Sequence, residues 1–159
     1  MNILEKDIEE IIYNTDTRSL SSRGLYLSGN RYRQLRIGNY GVADIVTIDR
    51  VSLSKDFIIS VYELKKEWIE HYTFWQSIRY LKGIQRYFEK RDFDPELYVY
   101  RVFYKIILIG KSLKTSSDFV YATYLLTGNM TLDFYTYSYK WDGISFNHQH
   151  SYKLINEGF

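Results

Sequence analysis

The chain has 159 residues, 45% hydrophobic and 25% charged, with 21 Lys and Arg against 19 Asp and Glu for a net charge of +2. That length supports one domain with a proper core, and the absence of Cys excludes disulfides, thiolate chemistry and zinc–thiolate sites. So small a net charge implies a nucleic-acid partner only if the basic residues cluster. The 17 Tyr favour a sheet-rich protein with amphipathic surfaces. No apolar run approaches membrane-spanning length and the start, MNILEKDIEE, is acidic, so no membrane partner and a cytoplasmic location are expected. One Pro, no Gly/Ser linker and no repeat give a single domain over 1–159, with a core at about 4–110 and a C-terminal helix and hairpin at 116–152.

Residues 2–14 read as an amphipathic helix with an apolar stripe of Leu4, Ile8, Ile11 and Ile12. At about 100° per residue, Glu5 falls at the edge of that stripe, Glu9 further round and Glu10 opposite, so Glu5 is best placed to reach inward. Thr15–Ser22 is polar and turn-like, Leu25–Leu27 starts a short strand, and Ser28-Gly29-Asn30 is a turn. Residues 31–37, RYRQLRI, form a strand carrying Arg31, Arg33 and Arg36. After Gly38-Asn39-Tyr40-Gly41 comes the strand Val42–Ile48, where Val42, Asp44 and Val46 share a face. A carboxylate in such company needs a cation, a metal or several donors.

The polar connection Asp49–Asp56 leads to Phe57–Lys66, FIISVYELKK, an apolar strand that ends with Glu63 and Lys65 on one face. Residues 70–90 form the strongest helix: Phe74, Ile78, Leu81 and Ile84 are spaced for burial, Gln76, Tyr80, Gly83 and Tyr87 line an adjacent stripe, and Arg79, Lys82, Arg86 and Lys90 form a basic one. That helix stops before Asp94-Pro95. A strand over 98–110, a helix over Ser116–Leu126, and strands Met130–Tyr139 and Ile144–Tyr152 around Trp141-Asp142-Gly143 complete the order. The fold class is α/β (α+β), a central mixed sheet flanked by helices. His148 and His150 share a strand face and could hold a transition metal, but no third ligand accompanies them.

An acid on one strand, acid-x-Lys on the next and a helix after it form a pattern that resembles the PD-(D/E)XK nuclease superfamily, with its restriction-endonuclease-like core. Asp44 matches the first acid, Glu63-Leu64-Lys65 the second motif, and Gln76-Ser77-Ile78-Arg79-Tyr80 the Q-x-x-x-Y motif of the RecB-type branch. The closer similarity, over roughly residues 4–88, is to the nuclease domain of NucS-type endonucleases. It rests on the Glu-bearing first helix, the phrase QLRIGNYGVADIV, the ELK strand and the offset of Gln76 and Tyr80.

The resemblance implies a metal-dependent DNA nuclease using Mg²⁺ or Mn²⁺. Asp44, Glu63 and the Leu64 carbonyl would form the ion's inner set, with Glu5 or Glu9 adding a carboxylate through water. Lys65 would activate the attacking water or stabilise phosphate charge, and Gln76 and Tyr80 would steady Lys65 and contact substrate. DNA would meet Arg31, Arg33, Arg36, Arg79, Lys82 and Arg86, and Tyr stacking would suit single-stranded or branched substrates. Many small enzymes of this fold act as homodimers, so a homodimer is a second expected partnership. The alternative is a catalytically inactive module of the same fold that binds nucleic acid or docks a partner.

Overall fold

A computed structural model describes residues 4–51, 53, 56–90, 101–113, 119 and 121–153. Two short helices open the chain, α1 (Glu5–Asn14) and α2 (Thr17–Ser22). Strand β1 (Asn30–Arg36) follows, then a tight helical turn at Gly38–Tyr40 and strands β2 (Val42–Arg50) and β3 (Phe57–Leu64). Next come β4 (Trp68–Ile69), the long helix α3 (His71–Lys90), β5 (Val102–Gly110), β6 (Ser112–Leu113), α4 (Ala122–Leu125), β7 (Met130–Lys140) and β8 (Gly143–Lys153). Six strands make one sheet in the order β1-β2-β3-β5-β7-β8, and β4 pairs with β6 beside it. The sheet is mixed: β1, β2 and β3 form an antiparallel meander, β5 joins β3 and β7 in parallel, and β8 closes an antiparallel hairpin. The architecture is α+β, a mixed six-stranded sheet with helices on both faces.

Strand periodicity explains the two layers. In β3, Ile59 and Val61 enter one core while Tyr62 and Leu64 enter the other; in β5, Ile106 and Leu108 oppose Ile107 and Ile109 in the same way. The first face is covered by Phe74, Ile78, Leu81 and Ile84 of α3, and the second by Ile8 and Ile12 of α1 with Leu20 of α2. A strand apolar on both sides is what a parallel central position requires, and β3 and β5 hold those positions. Among the described residues no helix is long and apolar enough to cross a membrane.

The stretch Thr15–Ser22 departs from expectation. It contains helix α2, started by Asp16, whose side chain accepts the Ser19 N–H at 2.8 Å in an N-cap. Leu25–Leu27 forms no strand, yet Leu25 and Leu27 are fully buried, so the apolar signal there came from core packing. The expected strand over 98–110 is seen as β5 from Val102, and the expected helix Ser116–Leu126 as the single turn α4; residues 98–100, 116–118 and 120, like the Asp94-Pro95 turn, lie outside the described residues.

Candidate active site

The hairpin of β2 and β3 is paired from Arg50 opposite Phe57 to Ile45 opposite Tyr62, and there the ladder ends. One step further, the two strands exchange side chains for backbone. The Leu64 N–H donates to Asp44 Oδ2 at 2.9 Å, and the Asp44 N–H points to Glu63 Oε1 at 3.4 Å. Strand β2 stays paired to β1 as far as Val42, while β3 stays paired to β5 through Leu64 and the Lys65 N–H, which donates to the Ile109 carbonyl at 2.8 Å. The strands are therefore drawn apart by their outer neighbours, and two carboxyl groups fill the opening.

Burial decides the charge of this pair. Glu63 is 3% exposed. Its carboxyl is pushed from 4.5 up to about 9, first by desolvation and then by Asp44, so it keeps a proton at neutral pH. Asp44 is also raised, by burial foremost; the Leu64 N–H opposes the rise and the Glu9 charge adds to it. Lys65, directly after the strand, draws both carboxyls back toward ionisation. Tyr80 of α3 lies close enough for the charge of Glu63 to raise its hydroxyl, after the larger effect of burial. Gln76 donates its amide to the Tyr80 hydroxyl at 2.7 Å, one helical turn away, and its Oε1 is buried with no partner.

Two glycines let α3 come this close. A Cβ on Gly41, at φ +122°, would lie 2.8 Å from Tyr80 Cε1, and one on Gly83 would lie 2.6 Å from Ile37 Cγ2 and 2.7 Å from Tyr40 Cδ2. Only bare backbone at 41 and 83 lets the helix settle on the Gly38–Tyr40 turn with the Tyr80 ring against Gly41, within electrostatic reach of the carboxyl pair.

Helix spacing favours Glu5 as the inward acid, but the structure buries Glu9, at 5% exposure. The cause lies on β1: Arg33 Nε meets Glu9 Oε1 at 2.5 Å and Gln34 Nε2 donates to Oε2 at 2.7 Å. The same Gln34 amide stands 3.4 Å from Asp44 Oδ1, linking Glu9 to the pair. Glu5 sits in the exposed first turn of α1, where its Oε1 accepts the Lys66 N–H at 3.0 Å. Both acids thus reach the β2–β3 opening, Glu9 at Asp44 and Glu5 just beyond Lys65. Gln34 is the residue whose role sequence reasoning missed: it opens the phrase QLRIGNYGVADIV, but nothing in that phrase gave it a task of its own.

The basic residues divide into two groups. Arg31 donates to the Ile12 carbonyl at 2.8 Å, the Tyr13 carbonyl at 3.2 Å and the Thr15 carbonyl, closing the C-terminal end of α1. Together with the Arg33–Glu9 pair, this commits two of the arginines expected to meet DNA to intramolecular partners. Arg36, Arg79 and Lys82 are exposed, and Arg86 reaches the Tyr40 hydroxyl at 2.8 Å. Exposed Tyr72 and Trp75 continue the Arg79–Lys82–Arg86 stripe toward the start of α3.

Asp44, Glu63 and the Leu64 carbonyl could hold a metal; among the described residues no three His, Asp or Glu side chains are grouped closely enough to do so. His148 is engaged by Asp133 Oδ1 at 3.1 Å and Ser151 Oγ at 2.8 Å, and the His150 ring lies 4.3 Å from that of Tyr152. Shape and chemistry separate on this surface. A cleft of about 400 Å³ opens between α1, α2 and the β7–β8 hairpin and another of about 550 Å³ beside Arg31, and neither is lined by Asp44, Glu63 or Lys65. The carboxyl pair is the stronger candidate, because burying two acids against each other is costly, Lys65 offsets only part of that cost, and perturbed carboxyls of this kind gather at functional sites.

No protein-family model matches the chain, and no curated protein matches its sequence. Among solved structures, a repair endonuclease from Pyrococcus abyssi is similar at 20% identity with a TM-score of 0.43, over 72% of this chain and 41% of that one. The chain spans about two fifths of the length of that protein.

Proposed function

We propose that this protein is a nuclease that hydrolyses phosphodiester bonds of DNA with the help of Mg²⁺ or Mn²⁺. The observation that carries the reading is the pair of buried carboxyls at the open end of the β2–β3 ladder, with Lys65 beside it and Tyr80 against it.

The donor set suits a hard divalent ion. Two carboxylates and a backbone carbonyl are all oxygen, and Mg²⁺ characteristically takes one or two carboxylates and keeps several waters. Lys65 alone does not balance the pair: burial, and after it the charge of Asp44, still hold the Glu63 carboxyl well above its ordinary range, and a bound cation would oppose that rise. When bound, such an ion neutralises phosphoryl charge and acidifies a water.

The remaining chemistry belongs to the chain. Lys65 offsets the negative charge that builds on the phosphoryl group and orients the water that attacks it. The Gln76–Tyr80 couple fixes the α3 wall and offers Gln76 Oε1 as an acceptor for the Lys65 ammonium or that water. Glu5 or Glu9 would add a further carboxylate near such an ion, Glu9 being the one already linked to Asp44 through Gln34. Arg36, Arg79 and Lys82 give sequence-independent affinity for the phosphate backbone.

The test is a cleavage panel of labelled single-stranded, duplex, flap and junction DNA and of RNA, with Mg²⁺, Mn²⁺ or EDTA, for wild type and Lys65→Ala. The expected result is metal-dependent cutting of DNA that falls by about 10²-fold or more in the variant. Absence of cutting under every condition, with both proteins folded, would favour the inactive binding module of the same fold.

A further inference from the structure

We propose that Gln34 is a positioning residue whose amide fixes the Asp44 carboxylate for cation binding, an inference that rests on the metal-site reading above.

Gln34 breaks the strand that contains it. The β1–β2 ladder pairs Arg33 with Ile45 and Leu35 with Ala43, and skips the step between them that would set Gln34 opposite Asp44. At that step Gln34 takes φ +50°, and it is the only described residue other than glycine with positive φ. A side chain in this left-handed region costs about 1 kcal/mol or more and persists where its surroundings enforce it.

The distortion changes where side chains reach. In a regular strand Arg33 and Gln34 would project from opposite faces. Here both grip the same carboxylate, Arg33 on Glu9 Oε1 and Gln34 on Glu9 Oε2. The Gln34 amide carries two hydrogens, and its nitrogen is also 3.4 Å from Asp44 Oδ1. Asp44 Oδ2 is held from the other side by the Leu64 N–H. The carboxylate is thus oriented on both oxygens, from β1 and from β3.

An amide is the right group for that task. It donates to two carboxylates at once and keeps them apart without neutralising either. A Lys or Arg at this position would cancel the charge a cation needs, and a Glu would repel both neighbours. The Arg33–Glu9–Gln34 chain therefore reaches the metal site through Gln34 and Asp44, as groups that orient a ligand do.

The experiment separates backbone from side chain. Gln34→Gly removes the amide and also relieves the left-handed strain, whereas Gln34→Ala removes the amide and keeps the strain. Mn²⁺ affinity is measured by calorimetric titration and by the resonance spectrum of the bound ion, and stability by thermal unfolding in EDTA. Both variants should bind Mn²⁺ about tenfold more weakly, with Gln34→Gly unfolding at a higher temperature than Gln34→Ala. Wild-type Mn²⁺ affinity in Gln34→Gly would overturn the role given to Gln34. Failure of the wild type itself to bind Mn²⁺ would instead overturn the metal site, and this inference with it.

Discussion

Replacing Glu63 by Gln should make the metal-free protein more stable, and the size of the gain follows from the burial of this group. The Glu63 carboxyl stands at 4.5 in the unfolded chain and about 9 in the fold. Its folded value is raised, so folding takes up a proton between those limits. The stability it confers is complete below 4.5, falls as pH rises, and is lost by about 9. Neutrality lies between the two values, about 2–3 pH units above the unfolded one, and at about 1.4 kcal/mol per unit wild type has lost about 3 kcal/mol there. Glu63→Gln keeps the side-chain volume and an acceptor for the Asp44 N–H but has no proton to take up. It should therefore match wild type in acid and exceed it by up to about 3 kcal/mol at neutral pH. Urea unfolding in EDTA from about pH 5 to about pH 8 measures the difference, which should widen with pH. Millimolar Mg²⁺ should reverse the order, since wild type gains binding free energy and the variant gains little. A wild-type stability that does not fall over that range in EDTA would refute the reasoning, because it would mean that both carboxyls ionise freely in the fold.

Other expectations follow from single contacts. Gly41→Ala places a methyl 2.8 Å from Tyr80 Cε1 at φ +122° and should cost about 1–3 kcal/mol in denaturant unfolding, with the cleavage rate falling as Tyr80 shifts. Arg31→Ala unpairs the last carbonyls of α1 and should lower stability by about 1–3 kcal/mol while leaving the salt dependence of DNA binding unchanged. Lys82→Ala should do the opposite, leaving the unfolding temperature alone and reducing the slope of log affinity against log salt by about 1.

The parts legible in the sequence are those set by local periodicity. The continuous apolar run in FIISVYEL and the apolar spacing in α3 depend on neighbours within a few positions, and both elements form where expected. Asp44 and Glu63 could be picked out because each is an acid in an apolar strand, an anomaly that needs no knowledge of the fold. Glu9 was harder to see, since its burial depends on Arg33 and Gln34, two dozen positions away and on another element. Arg31 looked like part of a basic patch because nothing local reveals that α1 ends beneath it. Gln34 stood at the start of a quoted phrase, yet its role was hidden for a different reason: positive φ is anticipated at Gly, and here tertiary contacts impose it on a residue with no preference for it. Helix α2 could have been found, since Asp16 with Ser19 three residues later is a capping signal, but six residues carry too little periodicity to stand out.

The two-sided burial of β3 has a consequence for how this chain can vary in length. Glu63 stands between Tyr62 and Leu64, which fill the layer under α1, and only strand parity sends it to the α3 side. Deleting one residue between Phe57 and Tyr62 would carry the carboxyl through the sheet and bring two large side chains into the opening beside Asp44. Pairing with β2 on one edge and β5 on the other leaves no free edge along which such a slip could be absorbed. The connection after Arg50 is under no such constraint, because residues added or removed there leave the phase of the strand unchanged. Lineages of this protein should therefore show insertions and deletions before Phe57 and a fixed count of residues from there to Lys65.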